Sequence, residues 1–192
     1  MDIQAFFTAE FEEHADVAAR TQAACAESFA DLLSRSAESV RHGGKIIFFG
    51  NGGSAADCQH LATELTIRYK TDRAPIAAIA LTTDTSALTA GGNDLGFENI
   101  FSRQIEALGK PGDVAIGIST SGNSENIIRA LKAAHALDIV PAALSGKDGG
   151  RLVGVADPLI IVPSNTTARI QEMHITLGHL LCGALEQELV LV

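Results

Sequence analysis

The chain has 192 residues, 46% hydrophobic and 19% charged, the size and make-up of one soluble domain. Its formal charge of −9 argues against a general nucleic-acid surface, which needs clustered Lys and Arg. The global field repels anions, so an anionic ligand would have to be held by local donors.

Cys25, Cys58 and Cys182 are odd in number and make no C-x-x-C pair, so neither a disulfide framework nor a thiolate zinc site is indicated. A reduced, cytoplasmic setting fits. Residues 1–20 are acidic and lack the apolar core of a signal peptide, and no stretch approaches the length of a membrane span.

In chain order, residues 2–42 carry apolar positions at helical spacing, among them Ile3, Phe6, Phe7, Phe11, Phe29, Leu32, Leu33 and Val40. They predict two helices with a break near residues 20–24. This pair packs either on another subunit or on its own sheet, and the sequence leaves both open. Five short apolar runs follow, each closed by a turn signal: Lys45–Phe49, Ala77–Leu81, Val114–Ile118, Ile139–Leu144 and Leu159–Val162. Between them, residues 54–69, 98–108 and 123–137 suit helices, with a shorter piece near 148–155. A last long helix is predicted from about Thr167 to Leu189. Strands alternating with helices mean βαβ units. The expected fold is a single α/β domain over residues 1–192, a three-layer α-β-α sandwich around a five-stranded parallel sheet.

Two strand ends stand out. Gly50-Asn51-Gly52-Gly53-Ser54 follows the first strand and opens a helix, and Ser119-Thr120-Ser121-Gly122-Asn123-Ser124 does the same after the third. Hydroxyls, glycine N–H groups and a helix N-terminus together cage a phosphate. Helix capping alone explains one such serine, not four hydroxyls in six residues. The first turn also reads G-x-G-x-x-A, but the acidic residue of a dinucleotide site is missing from the end of the next strand.

His60 and Glu64 stand i, i+4 on the helix after the first turn, on one face and at metal-ligand spacing. The last helix carries Gln171, His174 and His179. Gln171 and His179 differ by roughly 80° around the axis and could flank one site two turns long. Spacing alone leaves both histidines open as ligands. Cys58 points away from His60 and is expected to be a small buried side chain.

The runs Gly50–Asp57, His60–Tyr69, Gly92–Phe97, Ile118–Ser124, Gly146–Gly150 and Arg169–His179 together resemble the sedoheptulose-7-phosphate isomerases, a family of the sugar isomerase (SIS) domain fold. The resemblance spans nearly the whole chain. It implies a zinc ion, one per subunit, on His60, Glu64, Gln171 and His179, which selects His179 over His174 by analogy. It implies sugar-phosphate contacts from Asn51, Gly52, Gly53, Ser54, Glu64, Asn93, Asp94 and Gln171, with Ser119, Thr120, Ser121 and Ser124 on the phosphate. The catalytic pair would be Glu64, as base at carbon, and His179, as its acid–base partner, in an aldose–ketose isomerisation through an enediol. Asp94 is held as an alternative acid–base group or a plain turn residue, and Arg68 is expected to pair with a local carboxylate. The family also implies a cytoplasmic homotetramer with sites shared between subunits, and a place early in ADP- or GDP-heptose synthesis. The rival within the fold is a noncatalytic partner of the replication initiator DnaA; its positions matching Glu64 and His179 are neither acidic nor histidine. The one departure from the family pattern is Gly91 before Gly92, expected to loosen the loop carrying Asn93.

Overall fold

The computed structural model describes residues 1–190. Five parallel strands, β1 (Ile46–Gly50), β2 (Ala78–Ala80), β3 (Val114–Ser119), β4 (Val140–Gly146) and β5 (Leu159–Val162), form one sheet in the order β2-β1-β3-β4-β5. The helices are α1 (Ile3–Arg41), α2 (Gly53–Thr66), α3 (Thr85–Asp94), α4 (Ile100–Leu108), α5 (Glu125–Ala136) and α6 (Thr167–Glu188), with single 3₁₀ turns at Phe97–Asn99 and Gly150–Leu152. The three layers are as expected.

Alternation along β1 divides the core. Ile46 and Phe48 face α1, α2 and α6, together with Ile116, Ile118 and Leu144. Ile47 and Phe49 face α4 and α5, together with Ala115, Phe101, Ile105 and Ile127. Successive strand residues point to opposite faces, and every residue of β1 and β3 is buried because both faces are covered.

The expected break near residues 20–24 is absent: α1 is one helix of 39 residues. No Gly or Pro interrupts that stretch, and the buried stripe runs straight through it from Val17 to Thr21 to Cys25. Asp2 caps the helix start, its carboxylate accepting from the N–H groups of Gln4 and Ala5. Near its start, Ile3, Phe6, Phe7 and Phe11 are each at least half exposed.

A second correction concerns residues 85–94. They form α3, where Asp84 caps the start by accepting from Ala87 N–H at 3.0 Å. Gly91 and Gly92 therefore lie inside a helix rather than in a loosened loop, and Asn93 and Asp94 form its last turn. The chain turns at Gly96, whose φ is +88°. None of the ten α3 residues is buried.

Candidate active site

The first turn hangs between β1 and α2. Gly52 takes φ +58° and ψ −122°, a region that glycine reaches without steric penalty. This sharp entry starts α2 at once, with Ser54 buried on its first turn. The second turn, between β3 and α5, is held from within. The hydroxyls of Ser119 and Ser124 lie 3.1 Å apart, and Ser121 Oγ accepts from Asn123 N–H. Thr120 is half-buried beside them.

Gly50 pairs in register with Ile118, so both turns emerge side by side. The helices after them go to opposite faces of the sheet, which makes the gap between β1 and β3 the topological switch point where α/β proteins bind ligands. A reciprocal amide pair joins the two turns: Asn51 Nδ2 donates to Asn126 Oδ1 at 3.0 Å, and Asn126 Nδ2 donates to Asn51 Oδ1 at 2.8 Å. Asn126 is 3% exposed. The Asn51 carboxamide thus faces a neighbour in the protein.

A third segment backs the serine turn. A Cβ on Gly122 would stand 2.0 Å from Gly149 O, and one on Gly150 would stand 2.6 Å from Ser121 O. All three glycines have positive φ. The backbones are therefore in direct contact, and Arg151 N–H adds a bond to Asn123 Oδ1.

Further along α2, a second cluster forms on its seam with α6. His60 Nε2 and His179 Nε2 face each other at 2.8 Å, and Glu64 Oε1 lies 3.4 Å from His60 Nε2. One donor atom from each of the three residues lies within 4.8 Å of the others. Two imidazole nitrogens pointing at each other need either a shared proton or a cation between them. Two nitrogens and a carboxylate oxygen are donors that suit Zn²⁺ and leave a coordination position open, so the residues present fit such an ion. The Tyr69 ring stacks on His179 with 22° between the planes.

The seam also decides what spacing left open. His174 is fully buried on another side of α6, its Nε2 2.9 Å from Ser145 O, and burial pushes its pKa down to about 4. It is not in the cluster. Gln171 lies eight residues, about 12 Å along the helix, from His179. Its amide meets the start of α2, where a Cβ on Gly53 would stand 2.9 Å from Gln171 Nε2.

Asn93 and Asp94 sit elsewhere in the chain. Their side chains bond to each other at 2.7 Å. Asp94 lines a groove of about 620 Å³ between α3, α4 and β2, which neither the turns nor the histidine cluster touches. Arg68 does not pair with a local carboxylate as expected. It is exposed, with no ion-pair partner among the described residues; the guanidinium that engages a carboxylate here is that of Arg73, 2.9 Å from Glu186. Cys58 is buried as expected, and burial pushes its thiol well above the ordinary range.

Several residues of the site had no role assigned from sequence. Asp57 lies one turn before His60 on the same face; burial raises its carboxyl pKa against the opposing pull of His60 and His179. Its i, i+3 spacing to His60 was a usable signal. Asn126 sits two residues after Ser124, but nothing local tells that it reaches Asn51. Arg73 and Glu186 are far apart in sequence and carried no signal at all.

Comparison with known proteins agrees with this geometry. Residues 9–146 match the SIS domain family model. The chain is 59% identical to the phosphoheptose isomerase of Paramagnetospirillum magneticum over 186 residues, covering 97% of both chains. It superposes on the phosphoheptose isomerase structure of Neisseria gonorrhoeae with a TM-score of 0.90 at 45% identity, covering 96% of this chain and 99% of that one. For the phosphoheptose isomerase of Francisella tularensis the TM-score is 0.93 at 35% identity, with 97% and 100% covered. With the β1/β3 turns and the α2/α6 cluster in place on that shared fold, the chain belongs to the phosphoheptose isomerase family of SIS-domain proteins.

Proposed function

We propose that the chain is an aldose–ketose isomerase that interconverts sedoheptulose 7-phosphate and D-glycero-D-manno-heptose 7-phosphate, an early step towards ADP- or GDP-heptose. The observation that carries this is the spacing of the two clusters along α2. Ser54 and His60 are six residues, about 9 Å, apart on one helix. An open-chain heptose phosphate has its phosphate at one end and its carbonyl at the other, and its extended length is of that order. The relatives' identity supports the same reading.

In this reading Ser119, Thr120, Ser121 and Ser124, with the N–H groups of Gly52, Gly53 and Ser54, hold the phosphate. Asn51, locked to Asn126, shapes the turn. His60, Glu64 and His179 hold one Zn²⁺ per subunit, and Gln171, whose amide lies at the start of α2, is the further donor that the family resemblance implies. When bound, the ion polarises the sugar oxygens and stabilises enediolate charge. Glu64 would take the proton from carbon and His179 would move a proton at the adjacent oxygen, each with the atom it does not give to the ion; a positioned acid–base group contributes about 10²–10⁴-fold. Asp57 is the remaining carboxyl facing both histidines.

The exposed Ile3, Phe6, Phe7 and Phe11 on α1 support burial against other copies, as a homotetramer. None of the described helices is long and apolar enough to cross a membrane; we place the enzyme in the cytoplasm. The rival reading, a noncatalytic interaction protein, lacks a reason for the His60–Glu64–His179 convergence. The test is direct: purified, zinc-supplied protein converts sedoheptulose 7-phosphate to an aldose phosphate. A wild type inert under those conditions would favour the interaction protein.

A further inference from the structure

The chain between α2 and β2 crosses the end of the α2/α6 seam and places Arg73 inside it. The side chains of Arg73 and Glu186 are 0% and 3% exposed and meet at 2.9 Å. Arg73 spends its other donors on backbone: Nη2 donates to Glu64 O at 2.8 Å and Nη1 to Leu65 O at 2.7 Å. These are carbonyls of the last turn of α2, which no intrahelical N–H can satisfy in full. The same Glu186 oxygen accepts from Tyr69 N–H, and the Tyr69 ring lies stacked on His179.

One buried pair therefore touches both sides of the cluster. On α2 it holds the backbone of Glu64 itself. On α6 it stands seven residues, two turns, beyond His179 on the same face. At the level of the cluster itself the helices approach closely, since a Cβ on Gly178, beside His179, would meet Cδ1 of Leu61, beside His60, at 2.5 Å. Such close contact transmits a shift at one end of the seam to the ligands beside it.

We propose that Arg73 and Glu186 are positioning residues that set the separation of His60 and Glu64 from His179, and so tune metal affinity and turnover without touching substrate. The inference rests on the metal-assisted isomerase reading. A lysine at position 73 keeps the charge but cannot fork to Glu186, Glu64 O and Leu65 O together. An apolar pair of similar volume removes both buried charges at once, which folds often tolerate well.

The experiment uses full-length Arg73→Lys and the double variant Arg73→Met with Glu186→Leu. Each is measured for zinc Kd by chelator competition, for kcat and KM at saturating zinc, and for cooperative thermal unfolding. The double variant is expected to unfold cooperatively near the wild-type temperature, while zinc Kd rises about tenfold or more in both variants. Turnover falls with them and KM changes little. A double variant with wild-type zinc Kd and kcat would reduce the pair to a packing element and overturn the proposal. A wild type that binds zinc no better than His60→Ala would instead sink the metal reading, and this proposal with it.

Discussion

The two halves of the site are built in different ways. The turns at the ends of β1 and β3 are shaped by backbone: glycines at positive φ, main chains in direct contact, and one amide pair locking them together. The His60–Glu64–His179 cluster is shaped by docking: three side chains on two helices, with His60 46% and Glu64 19% exposed. A backbone cradle offers little room for adjustment, which suits a phosphate that both substrate and product carry. A helix seam can move by tenths of an ångström, which suits ligands and proton carriers whose partners change during turnover. Damage to the cradle should therefore appear in KM, and damage to the seam in kcat.

The largest expected effects test the seam. Glu64→Gln and His179→Ala should each lower kcat by about 10³-fold or more, with unchanged circular dichroism. A change confined to KM would erase the contrast between the two halves. On the cradle side, Gly122→Ala forces a methyl group against Gly149 O in a left-handed backbone position. It should raise KM at least about tenfold and cost about 3 kcal/mol in denaturant unfolding, with kcat at saturation much less affected.

Acid sensitivity separates the α6 histidine in the cluster from the one that only packs against the sheet. His174 stays neutral in the folded protein down to about pH 4, whereas an unfolded histidine protonates near its ordinary value of 6.5. The unfolded state thus binds more protons between these values, so the stability His174 contributes is present above pH 6.5 and is lost as pH falls towards 4. The loss should reach about 2–3 kcal/mol. The difference between wild type and His174→Gln in urea unfolding across that range measures it, and a pH-independent difference would remove the assignment. The smallest effect belongs to the link between the two turns. Asn126→Ala leaves the half-buried Asn51 amide without its partner and should cost about 1 kcal/mol, with a modest rise in KM. An Asn126→Ala enzyme with normal KM but reduced kcat would show that the turns feed the chemistry as well as the grip.

Much of this was legible in the chain. All five strands lie within a residue or two of their apolar runs, because buried parallel strands read as unbroken hydrophobic segments. The α1 break failed for a local reason: a pause in large apolar residues is not a helix stop when Thr21 and Cys25 keep the stripe buried. The sequence after Asp84 is helix-like, but α3 is not among the expected helices, since a helix with no buried residue carries little periodic signal.

By itself, then, the sequence determined what depends on neighbours a few residues apart: the strands, the glycine and serine turns, and the shared face of His60 and Glu64. Local spacing left open which histidine of α6 meets them, which the family resemblance assigned by analogy and the tertiary structure showed directly. The tertiary structure alone decided that Asn51 is bound by Asn126 and that Arg73 is buried against Glu186. Those pairings span 119, 75 and 113 residues. They follow from how α2, α5 and α6 dock on the sheet, and no local spacing along the chain encodes that docking.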